Sequence, residues 1–189
     1  MHFPNESPRG DSFGLKYKTM NLTEIRVATI EDRSIIRSIS ERTWPSTYGH
    51  IISQEQIDFM LDWMYSDVSL EEQMNKGHQF FIANYNGEDI GFCSVNAEEN
   101  AEKGNTKAHK LNKLYILPTI QGSGAGTLLL NKAIEIAKAE GSSSLFLQVN
   151  KHNNAYDFYI KKGFVKESEF KFEIGDGYFM DDYVMRLHF

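Results

Sequence analysis

Between Leu114 and Ala137 the chain reads LYILPTIQGSGAGTLLLNKAIEIA. A strand-like run and a proline lead into a loop nearly without side chains, and a segment with apolar residues at helical spacing follows. A loop built from Gln121, Gly122, Ser123, Gly124, Ala125 and Gly126 must act through its backbone. The first N–H groups of a helix have no partner inside it, and they converge with the positive end of the helix dipole. Such a turn binds anions, phosphate or pyrophosphate above all. Glycines suit it because a Cβ would keep the ligand from the amides. Two nucleotide loops are excluded on detail. A Walker loop closes with Lys before Ser or Thr, whereas Gly126 precedes Thr127 here. A dinucleotide loop needs Gly-x-Gly-x-x-Gly and an acid about 20 residues on; these glycines alternate, and the stretch around Ser142 to Ser144 has no acid.

The segments around this loop read as mixed α/β. Residues 24–29 form a first strand, and 29–44 a helix with Ile35, Ile36 and Ile39 inward and Asp32 as cap. Ser53 and Gln56 have capping-box spacing before a helix that aligns Ile57, Met60, Leu61 and Met64. Ser69 with Glu72 repeats that signal for a short helix ending near Gly77. The period then falls to two. Residues 79–85 and 89–97 flank Asn86-Gly87-Glu88, a hairpin signal, and 99–107 read as a polar loop. Residues 108–117 alternate Leu111, Lys113 and Tyr115 against Lys110, Asn112 and Leu114 until Pro118 stops the strand. A helix over 126–141, a strand over 144–149, a short helix over 153–163 and a final strand pair complete the order β-α-α-β-β-β-α-β-α-β-β. Residues 20–189 make one domain, and 1–19, rich in Pro, Gly, Ser and charge, an N-terminal extension.

At 189 residues, 41% hydrophobic and 24% charged, the composition is that of a soluble globular chain. A net charge of −6 argues against general nucleic-acid affinity and is compatible with a cationic substrate. No apolar run is long enough to cross a bilayer, and the first residues lack the apolar centre of a signal peptide. The single cysteine, Cys93, excludes an internal disulfide and suits a reducing cytoplasm.

Leu-Tyr-Ile-Leu-Pro followed by Gln121-x-x-Gly124-x-Gly126 resembles the acetyl-coenzyme A signature of the GNAT superfamily of N-acetyltransferases. Asn153-Asn-Ala-Tyr-Asp-Phe-Tyr159-Ile-Lys-Lys-Gly-Phe164 resembles that family's second motif, a short helix ending Tyr-x-x-x-Gly-Phe. The element order agrees over roughly residues 22–189. The segments TWPSTYGHIISQEQIDFML and GDGYFMDDYVMRL are similar to bacterial relatives near the spermidine/spermine N-acetyltransferases. One departure is that His152 takes the usual Asn place; either Asn153 or His152 then has that residue's role, and Asn153 is favoured as the helix cap.

The resemblance implies a single-domain, mostly antiparallel sheet with helices on both faces. It also implies direct acetyl transfer from acetyl-CoA to a primary amine, without a covalent enzyme intermediate and without a metal. Backbone amides from Gln121 to Thr127 would hold the pyrophosphate. Leu114, Tyr115 and Ile116 would pair with the pantetheine, and a backbone N–H there would stabilise the oxyanion. Asn153, Phe158 and Lys162 would complete the cofactor site. Tyr159 would protonate the departing thiolate as general acid. The family's strand glutamate is missing from HKLNKLYIL, so the base stays open among His109, Tyr115 and His78. Acids to dock a cationic acceptor are Glu55, Asp58, Asp62, Glu98, Glu99, Asp181 and Asp182. Of these Asp58 and Asp62, four apart on one helix face, are the first choice. The expected acceptor is a small polyamine-like amine. Alternatives are a protein or peptide amine, or a regulatory module that binds acyl-CoA without turnover. The chain is expected to act as a monomer or homodimer, with neither nucleic acid nor membrane as partner.

Overall fold

The computed structural model describes residues 23–100 and 106–189; the expected extension at 1–19 lies outside them. Strand β1 (Thr23–Val27) leads through a 3-10 turn into α1 (Arg33–Tyr48), α2 (Gln54–Tyr65) and α3 (Asp67–Asn75). Strands β2 (Gln79–Tyr85), β3 (Glu88–Asn100) and β4 (Thr106–Ile116) follow, then α4 (Ala125–Ala139), β5 (Ser144–Asn150), α5 (Ala155–Lys161), β6 (Val165–Gly175) and β7 (Tyr178–His188). Both β3 and β4 run into the stretch expected to be loop, because residues 97–100 still pair with 106–109.

The strands form one mixed sheet in the order β1-β2-β3-β4-β5-β7-β6. Every neighbouring pair is antiparallel except β4 and β5. The β2–β3 hairpin turns at Asn86 and Gly87, whose φ values of 52° and 89° match the Asn-Gly signal. Helix α4 covers one face of the sheet with Leu129, Leu130, Ala133 and Ala137, all fully buried. Burying a leucine completely stabilises by about 2 kcal/mol. Ile36, Ile39 and Trp44 of α1 and Ile57, Met60 and Tyr65 of α2 are buried in the same hydrophobic core. On α1 the buried hydroxyls of Ser40 and Thr43 donate to the carbonyls of Ile36 and Ile39, both at 2.8 Å.

Three cap expectations are revised. Asp32 turns back to accept from the Thr29 N–H at 2.8 Å and both Arg26 nitrogens at 2.9 Å, so it ties α1 to β1 instead of capping α1. Ser53 accepts from the Gln56 N–H at 3.2 Å, but the Gln56 amide reaches across to the Phe179 carbonyl at 3.1 Å, so the box is half made. The short helix is capped by Ser66, which accepts from the Ser69 N–H at 3.3 Å, three residues before the expected cap.

The central revision concerns β4. Leu111 pairs with Val95 and Lys113 with Ser94, so Asn112 is an extra residue in a bulge. The expected alternation breaks there. Lys113 and Tyr115, opposite Ser94 and Phe92, share one face, while Leu111 joins Leu114 on the face of Val95 and Cys93.

Candidate active site

Beside the bulge the sheet divides. Strand β5 pairs with β4 only at His109–Leu111 against Leu145–Leu147, although β4 continues to Ile116 and β5 to Asn150. Past Leu111 that edge of β4 therefore faces a cleft of about 640 Å³ in place of a partner strand. Leu114, Tyr115 and Ile116 line it along the strand, and Gln121 to Thr127 line its mouth. Asn153, just before α5, and Phe158 and Tyr159 on α5 close it. Of the residues expected to bind cofactor, all but Lys162 come together here. Lys162 sits beside the cleft with Nζ 5.6 Å from the Phe158 ring centre.

The glycine loop has an open backbone and a conformational reason for two of its glycines. Gly122 and Gly124 have φ of 86° and 88°, which disfavour any side chain, and a Cβ on either would touch nothing within 4 Å. At Gly126 a Cβ would make ordinary contacts at 3.7 and 3.8 Å with Ile116 and Leu114. Glycine is needed for the turn at 122 and 124. Ser123 and Thr127 donate their N–H groups within the turn. Those of Gly122, Gly124 and Gly126 have no backbone partner among the described residues, and they open at the N-terminus of α4. That cradle fits a pyrophosphate.

Tyr159 is 7% exposed and packs edge-on between Phe158 and Phe164, with ring centres 5.2 and 5.5 Å away. Burial raises its phenol pKa, so the group is a neutral donor at physiological pH. The N-cap residue of α5 is Asn154, whose side chain makes no cap bond; the side chain of Asn153, the expected cap and one residue earlier, accepts from the Ala155 N–H at 2.9 Å.

A second cavity of about 290 Å³ continues from the first. The two share Tyr48, Leu111, Asn112, Lys113, Tyr115 and Gln148. Its apolar side comes from Trp44, Met60, Trp63 and Met64, and its polar side from the sheet, with Lys110, Asn150 and Asp182. Asp182 is 4% exposed. Burial and the neighbouring Asp181 charge push its pKa up to about 6, against smaller opposing pulls from Asn150, Lys110 and Lys151. Lys113, 5% exposed, is pushed down to about 7 by burial and by Lys110. Its Nζ donates to Gln73 Oε1 and lies 5.5 and 5.8 Å from the Tyr65 and Phe80 ring centres.

The remaining candidates are placed elsewhere. Asp58 and Asp62 line neither cavity: Asp58 accepts from Gln54 at 2.8 Å, and Asp62 pairs with Arg37 at 3.1 Å on the exposed side of α2. Glu55 is exposed at the start of that helix, Asp181 pairs with Lys151 at 2.7 Å, and Glu98 lies on β3 outside both cavities. The Glu99 side chain lies outside the described residues. His109 is buried, with Nδ1 2.7 Å from Ser142 Oγ and Nε2 3.3 Å from Glu140, and it lines neither cavity. Half-buried His78, its pKa lowered to about 4 by burial and by Lys113, also lines neither. Tyr115 alone of the three base candidates reaches the cleft, with its phenol pKa raised by burial.

A divided sheet with an anion cradle at the mouth of the gap and a neutral phenol inside defines a class of acyl-transferring enzymes. The comparisons agree. A family model for the acetyltransferase (GNAT) domain matches residues 50–176. A spermidine N(1)-acetyltransferase of Thermoplasma acidophilum is 31% identical over 150 residues, 76% of this chain and 89% of that protein. An uncharacterized N-acetyltransferase of Methanocaldococcus jannaschii is 36% identical over 95 residues; the chain spans 41% of that protein's length and 49% of its own. The crystal structure of the PaiA N-acetyltransferase from Thermoplasma acidophilum in complex with coenzyme A superposes with a TM-score of 0.74 at 25% identity, covering 89% of this chain and 99% of that one. The chain belongs to the GNAT acetyltransferase family. It is an N-acetyltransferase of the acetyl-CoA-dependent kind.

Proposed function

We propose that the chain moves the acetyl group of acetyl-CoA to a primary amine of a small, polyamine-like acceptor. The observation that carries the reading is the junction of the two cavities, where the cleft that holds the open edge of β4 and Tyr159 meets, across Tyr48 and Tyr115, a second chamber with its own buried carboxylate. The coenzyme supplies an activated thioester. The free amides of Gly122, Gly124 and Gly126 receive its pyrophosphate, and the unpaired edge at Leu114 to Ile116 aligns the pantetheine as a missing strand would lie. A backbone N–H on that edge donates to the oxyanion as the amine attacks; one such donor contributes about 3–4 kcal/mol. Tyr159 delivers its proton to the leaving sulfur.

The second chamber suits an amine with a slender apolar stem. Asp182 favours the cationic nitrogen near the junction. Lys110 and Lys113 oppose another cation close by, so a further positive charge fits best at the open end, where Trp63 and Phe179 are 51% and 42% exposed. The spermidine-acetylating relative supports the same choice. A free-thiol release assay with spermidine, short alkylamines and peptides bearing free amines tests the reading. The account expects the highest kcat/KM for spermidine among them. Turnover of peptide amines with none of the small amines would replace it with a protein acetyltransferase. Coenzyme binding without turnover of any amine would replace it with a regulatory module.

A further inference from the structure

The family's strand glutamate is absent, and a base is chemically required, because an alkylammonium is only about 1 part in 2,500 free amine at pH 7. Resting on the proposed amine acceptor, we infer that Asp182 is the general base of this enzyme: its carboxylate receives the acceptor's ammonium and takes the proton that must leave before the nitrogen attacks.

Four observations carry this. Asp182 is the one carboxylate lining either cavity among the described residues. It is buried, yet no ion pair among the described residues includes it, unlike Asp62 and Asp181. It stands on β7 opposite Asn150, on the strand next to the gap, so it faces the chamber from beside the divide. Two other titratable groups are engaged elsewhere: His109 is held by Ser142 and Glu140, and the Lys113 amine is aimed at Gln73 beneath two rings.

The surroundings tune the group. Asp181 beside it on β7 disfavours its charge, while Lys110 on β4 and Lys151 after β5 favour it. The neutral Tyr48 phenol faces it from α1, and α2 lines the chamber with Gln56, Met60, Trp63 and Met64, none ionisable. A carboxyl with a pKa of about 6 is ionised at neutral pH and keeps more basicity than an exposed aspartate.

The protons balance. One N–H bond of the ammonium breaks and the proton goes to Asp182, then to solvent. The nitrogen lone pair forms the C–N bond as the C–S bond breaks. Tyr159 gives its proton to the sulfur, and the second proton lost by the nitrogen restores the phenol. The products are the acetamide, the free thiol of coenzyme A and one proton.

The test is kcat/KM for spermidine and for n-propylamine against pH, in wild type, Asp182→Asn and Asp182→Glu. With a carboxylate base the reacting proton inventory is ammonium plus carboxylate, so the wild-type profile rises to about pH 6 and then levels. Asp182→Asn must wait for free amine. It should lose about 10²–10³-fold at pH 7 and regain about tenfold for each added pH unit, up to the amine pKa near 10. Asp182→Glu should keep the plateau at reduced height. Unchanged coenzyme A affinity by calorimetry would show that Asp182→Asn is folded, and Asp182→Glu carries the test if it is not. An Asp182→Asn profile that keeps the plateau, with only KM raised, would overturn the base while leaving the acetyltransferase reading intact. A wild type inert to both amines would overturn that acceptor reading and the base with it.

Discussion

The hydroxyl oxygens of Tyr48 and Tyr115 lie 3.3 Å apart on the wall shared by the two cavities. Tyr48 ends α1 and Tyr115 belongs to β4, so this contact joins the helix to the strand at the point where acetyl donor and amine would meet. Trp44 backs both rings, at 4.6 Å from Tyr48 and 6.2 Å from Tyr115. Burial raises both phenol pKa values, so both stay protonated at physiological pH. Tyr48→Phe should lower stability by about 1 kcal/mol, the net worth of one such bond. It should raise KM for the amine more than for acetyl-CoA. Urea midpoints and steady-state kinetics check this; unchanged values of both would mean the pair is idle.

The loop makes a separable prediction. Gly124→Val meets no steric neighbour but must hold φ near 88°, which costs about 1–2 kcal/mol for a side-chain-bearing residue. It should also weaken coenzyme A binding by at least about tenfold by disturbing the amide cradle. Gly126→Ala, with its Cβ in ordinary contact with Ile116 and Leu114, should leave stability nearly as it is. Thermal melts with calorimetry on both variants decide; equal damage from the two would contradict the assignment of the turn.

Lys113 gives a pH signature. Its folded pKa of about 7 lies below the ordinary lysine value of 10.5, so between these two values the unfolded chain binds the extra proton. Stability should therefore rise as pH climbs from about 7 towards 10.5, and below about 7, where both states carry the proton, this group adds no further change. The full effect is on the order of a few kcal/mol. Lys113→Met should flatten that window in urea titrations. A wild-type curve already flat there would show that the amine keeps its water.

The loop, the Asn-Gly hairpin and the α5 motif were legible because each is local: the φ signs, the open amides and the Asn153 bond to the Ala155 N–H follow from a few adjacent residues. The base was not. Asp182 is one of seven acids considered for docking, and its sequence neighbour Asp181 is spent on Lys151. Only the order β5-β7-β6 brings Asp182 beside the gap. Asp58 and Asp62 had the right spacing for a shared face, but α2 turns that face outward and offers Gln56, Met60 and Trp63 to the chamber. The Asn112 bulge was hidden as well, because strand alternation alone carries no sign of an inserted residue. That one residue moves Lys113 and Tyr115 away from the face of Leu111. Tyr48 passed unnoticed for a simpler reason, since the apolar pattern of α1 stops being informative near Pro45, which the helix runs through.

Asp182 also has a stability consequence. With a folded pKa of about 6 against the ordinary aspartate value of 3.8, the carboxyl binds its proton more tightly in the folded state, and folding is disfavoured progressively as pH rises from about 3.8 to 6. Asp182→Asn should therefore be more stable than wild type at pH 7–8 and lose that advantage by about pH 4. Urea midpoints at the two ends measure it; a variant less stable at neutral pH would mean the carboxylate is well partnered.

The account stands or falls on Tyr159→Phe. The change removes one oxygen and keeps the ring against Phe158 and Phe164. If the phenol protonates the departing thiolate, kcat should fall by about 10²–10⁴. Acetyl-CoA affinity should hold, because the hydroxyl acts on charge that develops in the transition state. Single-turnover thiol release with calorimetry on the same preparation gives both quantities. A folded variant that binds acetyl-CoA and releases thiol at the wild-type rate would contradict the account and leave Tyr159 as a core aromatic.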